Sequence, residues 1–108
     1  MNDLPEHIQQ KIKNVLKQYP QVEQAILFGS RAKGTSKPGS DIDLTLKGKE
    51  IDLRVLNRIS QDLDDLLLPY TIDMTIYQRI TDQDILDHIH RVGKILYSAE
   101  NESENILK

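Results

Sequence analysis

Two aspartates one residue apart, Asp41 and Asp43, open a stretch that alternates polar and apolar residues through Leu46. In a strand, residues i and i+2 project from one face, so these carboxylates would stand on the same side, about 6.5–7 Å apart at the backbone. Carboxylates held so close repel each other unless positive charge sits between them. A hard divalent cation meets that need, since Mg²⁺ takes carboxylate oxygens and shares its shell with substrate phosphates. A third carboxylate, Asp73, lies in a second alternating stretch, Thr71 to Tyr77. If the two strands are neighbours, three carboxylates suit a two-metal phosphoryl-transfer site. Asp41 and Asp43 would bind both ions, and Asp73 would bind the catalytic one and help deprotonate an attacking hydroxyl. An Asp-x-Asp pair taken alone is more often solvated surface. Aspartate is also a poor strand former, however, and three at strand-interior positions call for a reason.

An anion site is expected just before the pair. The apolar run Ala25-Ile26-Leu27-Phe28 stops at Gly29-Ser30. A glycine there lets the backbone turn sharply and come close to a ligand. A helix starting near Ser30 would turn its free N–H groups toward phosphates. Residues 29–40 form the chain's one long loop-rich segment, which carries Arg31, Lys33 and Lys37 as candidate neutralisers of triphosphate charge and ends at Ser40. Two other motifs are excluded. Gly29 and Gly34 have the spacing of a Walker A loop, but Thr35 stands where its lysine belongs. Asp41 to Leu46 is not a calcium loop, because the sixth position is Leu46 and not glycine. Asp52, Asp62, Asp64 and Asp65 are read as a solvated helix face. Asp82 and Asp84 are read as helix N-terminal residues, favoured by the dipole. His7, His88 and His90 are scattered, and no histidine metal site is read.

The elements that must position these residues follow from hydrophobic periodicity. Leu4, Ile8, Ile12, Val15 and Leu16 predict a helix over residues 4–18, with Asp3 as N-cap and Pro5 in the first turn. Residues 23–28 predict a strand buried on both faces. Residues 41–46 and 71–77 predict strands with one aliphatic and one polar face. A helix over 51–67 carries a stripe of Leu53, Val55, Leu56, Ile59, Leu63, Leu66 and Leu67. A last helix over 82–92 turns Ile85, Leu86, Ile89 and Val92 inward and ends near Gly93. Residues 94–98 read as a short strand or edge segment. The expectation is an α/β (α+β) fold: a small mixed β-sheet with helices packed on one face, its opposite face open and carrying the aspartates.

Composition sets the bounds. The 108 residues are 38% hydrophobic and 29% charged, which fits one globular domain, expected over 1–98 with a polar, frayed tail over 99–108. The net charge is −3, from 14 basic and 17 acidic residues, so no extensive nucleic-acid grip is expected. There is no cysteine, which excludes disulfides and suits a cytoplasmic location. No signal peptide and no apolar run of membrane-spanning length is read.

The run from Gly29-Ser30 through ten residues to Asp41-Ile42-Asp43-Leu44 resembles the signature of the polymerase-beta-like nucleotidyltransferase superfamily, and Asp73 falls where that family has its third carboxylate. The short chain resembles the minimal nucleotidyltransferases, the antitoxin halves of HEPN/MNT toxin–antitoxin pairs. The resemblance implies Mg²⁺-dependent transfer of AMP from ATP to a tyrosine of a HEPN toxin, so ATP and that toxin are the implied substrate and partner. It assigns Gly29 and Ser30 to the phosphates, and Asp41, Asp43 and Asp73 to metal and catalysis; Arg31 and Ser40, which the motif does not define, are read beside them as nucleotide-binding residues. No acceptor domain is expected, so the acceptor surface should come from the partner. Two other readings stand beside it: a non-catalytic module that neutralises a partner by contact, and nucleotidyl transfer to a small molecule or RNA.

Overall fold

The buried stripe Ile8, Ile12, Val15 and Leu16 winds into helix α1 (Glu6–Leu16), the first element of a computed structural model that describes residues 4–29 and 41–99. The further elements are β1 (Gln24–Phe28), β2 (Ile42–Lys47), α2 (Leu53–Asp64), β3 (Ile72–Ile76), a 3₁₀ turn (Tyr77–Arg79), α3 (Gln83–Val92) and β4 (Lys94–Ser98). The strands form one sheet in the order β3-β2-β1-β4. β1 pairs antiparallel with β2 and with β4, whereas β2 and β3 run parallel. A parallel pair cannot be joined by a hairpin, and α2 supplies the crossover.

Strand alternation divides the sheet into two faces. On one, Leu27, Ile42, Leu44 and Leu46 are fully buried and join Ile12, Leu16 and Ile59 of α1 and α2 in a single aliphatic core. The other face carries Ile26 and Phe28 of β1, Asp43 and Thr45 of β2, and Asp73 and Thr75 of β3, brought together by the register Phe28↔Asp43↔Asp73 and Ile26↔Thr45↔Thr75.

The mixed sheet is the expected one, and the helices differ from expectation in placement. α1 and α2 share one face, but α3 crosses the other. Buried Ile89 sits outside the main core, and a Cβ built on Gly93 would come within 2.8 Å of Ile26 Cγ2. Ile26 and Phe28 are the apolar residues of β1 on this face, and α3 packs over them. Thr45 is consequently fully buried and does not face solvent; its hydroxyl lies 3.5 Å from the Thr75 carbonyl oxygen.

The helix ends also differ. Pro5 occupies the N-cap of α1 and is not inside its first turn; Asp3 lies outside the described residues, as do the tail residues 100–108. Asp52 caps α2, its carboxylate accepting the Val55 N–H at 2.9 Å, so it is a cap and not part of a solvated face. α2 stops at Asp64, and Leu67 stands in a left-handed turn at φ 55, 88% exposed. Leu53 and Ile85 are exposed as well, so neither belongs to an inward stripe.

Candidate active site

Asp43 is the centre of the site. Parallel pairing sets it directly beside Asp73, Cα to Cα, so the two carboxylates rise from neighbouring strands about 4.8 Å apart at the backbone. Asp41 lies just ahead of β2 and is exposed, as is Asp73, while Asp43 is half-buried. Burial, then the charges of Asp73 and Asp41, push the Asp43 carboxyl above its ordinary 3.8; the His88 imidazole acts the other way. Pairing thus brings Asp43 and Asp73 together, and Asp41 is near enough for its charge to act on Asp43.

Gly29 closes the site from the end of β1. It sits at φ 76, and a Cβ there would collide with the Asp43 carboxylate, so only glycine lets the strand end lie against it. The Gly29 N–H donates to His88 Nε2 at 3.3 Å, and the same ring meets Phe28 edge-on, 6.3 Å between centroids. His88 is thus a site residue that sequence reasoning missed: a lone histidine on a helix carries no local sign of what that helix crosses. Ser30, Arg31 and Ser40 lie outside the described residues.

Among the described residues, no three His, Asp or Glu side chains form a ready-made metal cage. The donor set fits an ion of another kind. Carboxylates crowded on one face favour a cation between them. Mg²⁺ is commonly held by one or two carboxylates, with water and substrate phosphates completing its shell. A separate apolar cavity of about 450 Å³ begins at Met74, the residue after Asp73, and is lined by Met74, Thr75, Leu53, Ile80 and Ile85 among others. It holds none of the site carboxylates. No described helix is long and apolar enough to cross a membrane.

A turn glycine thus stands beside paired aspartates on adjacent strands, and the family comparison supplies the class. The family model "Polymerase beta, Nucleotidyltransferase" matches residues 10–102, and the chain belongs to that family as a nucleotidyltransferase. Among relatives, it is 28% identical over 94 residues to the "Probable protein adenylyltransferase MntA" of Haemophilus influenzae, covering 86% of this chain and 82% of that protein. Two solved structures share the fold. One is a toxin–antitoxin with AMP-PNP, at TM-score 0.70 and 23% identity over 89% of this chain and 77% of the other. The other is a tri-AMPylated Shewanella oneidensis HEPN toxin in complex with its MNT antitoxin, at TM-score 0.66 and 20% identity, with coverages of 92% and 76%.

Proposed function

We propose that this chain is the antitoxin of a HEPN toxin and acts by transferring AMP from ATP to a tyrosine hydroxyl of that partner. The register of Asp43 beside Asp73, closed by Gly29, carries the reading. The names of its relatives, a protein adenylyltransferase and an AMPylated toxin complex, support the nucleotide and the acceptor.

In the reaction the tyrosine oxygen attacks the α-phosphorus of ATP, a new P–O bond forms, and pyrophosphate leaves with the electrons of the broken bond. Asp41, Asp43 and Asp73 would hold Mg²⁺, which neutralises developing charge on the phosphates. Asp73, the exposed carboxylate on the edge strand, accepts the tyrosine proton. Gly29, with Ser30 following it, lets the backbone approach the phosphates. The apolar cavity just past Asp73 offers the acceptor segment a seat for a neighbouring side chain, and exposed Leu53 and Ile85 flank it.

The test incubates the protein with α-labelled ATP and Mg²⁺, with and without its partner toxin. Label on the toxin, lost in the Asp41→Asn/Asp43→Asn double variant, is expected. Absence of label with any nucleotide, together with full toxin neutralisation by that double variant, would establish contact alone as the mode of action.

A further inference from the structure

We infer that His88 is a positioning residue for the nucleotide: it holds the glycine turn of the site in its binding conformation. The inference rests on the nucleotide-binding reading above.

Three contacts converge on that turn. The Gly29 N–H donates to His88 Nε2 at 3.3 Å. The Phe28 ring meets the His88 ring edge-on at 76°. The Asp43 carboxylate fills the space where a Gly29 side chain would be. Glycine is the residue with the most backbone freedom, so a functional turn built on it needs outside restraint. Asp43 restrains Gly29 at its Cα. His88 restrains the peptide between Phe28 and Gly29 through its N–H. Neither restraint comes from β1 itself.

His88 is able to do this because α3 is fastened beneath it. The next residue, Ile89, is 3% exposed, and Gly93 brings the helix end onto Ile26 of β1. The ring is thus carried on a fixed element and not on a loop, the arrangement that holds a site to the narrow tolerance binding requires. Accepting at Nε2 requires the neutral ring with its proton on Nδ1. The contact is made from the α3 side, so His88 acts on nucleotide through Gly29.

The test uses the full chain with His88→Ala, His88→Leu and His88→Gln. Glutamine places an oxygen near the position of Nε2, whereas leucine keeps bulk without an acceptor. Affinity for AMP-PNP with Mg²⁺ is measured by titration calorimetry without the toxin. KM for ATP and kcat are measured with it, and exchange of the Gly29 amide by NMR. A net hydrogen bond predicts affinity and KM weakened about five- to tenfold in the alanine and leucine variants, with kcat within about twofold. Gly29 exchange accelerates to match, and glutamine restores all three. Wild-type affinity and Gly29 protection in both the alanine and leucine variants overturn the inference. So does a glutamine variant as impaired as alanine, which would assign the effect to ring packing. A wild type that binds AMP-PNP but labels no toxin overturns the proposed reaction and leaves the His88 result standing. A wild type that binds no nucleotide overturns both.

Discussion

The two faces of the sheet solve opposite problems. Under α1 and α2, Leu27, Ile42, Leu44 and Leu46 are fully buried against Ile12, Leu16 and Ile59, with no carboxylate in that cluster. On the far face α3 covers β1 and leaves β3 exposed, and Asp43 and Asp73 stand side by side. Like charges opposite each other on neighbouring strands are destabilising. One face therefore supplies stability and the other spends some of it to keep a charge cluster ready for a cation and phosphates. Because residues of β2 alternate between the two, a substitution one position along the strand moves from one regime to the other.

That contrast gives its largest effect at the carboxylates. Asp43→Asn or Asp73→Asn should lower AMP transfer on the order of a thousandfold, since ion-mediated charge stabilisation is worth several kcal/mol. Thermal unfolding should show the reverse sign, the melting temperature rising by a few degrees as a repulsion worth roughly 0.2–1 kcal/mol disappears. A fall of several degrees would make these carboxylates structural. Next in size, Leu44→Ala, one residue from Asp43, should cost about 2–5 kcal/mol in urea unfolding. Its folded fraction should bind nucleotide as the wild type does.

Gly29→Ala sits at the seam of the two regimes. It should cost about 1–2 kcal/mol for the left-handed backbone alone, and more than that in nucleotide affinity, because the new methyl pushes on Asp43. Equal losses in unfolding and calorimetric binding would separate the turn from the site. The smallest effect is in pH. The folded-state pKa of Asp43 is raised above 3.8, so the folded chain holds that proton more tightly than the unfolded chain. The stabilisation is fully present below 3.8 and is lost as pH rises through the raised value. Asp43→Asn should flatten stability in that window, and an unchanged slope would count against the crowding of the carboxylates.

Much of this site was legible because strand parity is local. A period of two places Asp43 and Thr45 on one face and Leu44 on the other whatever the sheet looks like. The register was not legible, since nothing in either strand says that Asp43 pairs with Asp73 and not with Thr71 or Thr75. The position of α3 was likewise hidden: Ile85 and Ile89 share a periodic stripe, but Ile89 is buried and Ile85 is 42% exposed. His88 was lost with it. Periodicity also overran α2, because Leu66 and Leu67 continue its stripe and the first breaker, Pro69, comes only after them.

Among the described residues β3 lies at the margin of the sheet, with β2 on one side and no strand on the other. Such a margin is a template for another chain, and a charge along it is a common guard against fibril-like association. Asp73 is that charge, flanked by Thr71 and Thr75 on the exposed face. The carboxylate proposed to take a proton from the acceptor would then also count against copies of the chain pairing edge to edge. An Asp73→Val variant should then lose solubility as well as turnover, which light scattering of the purified chain would show.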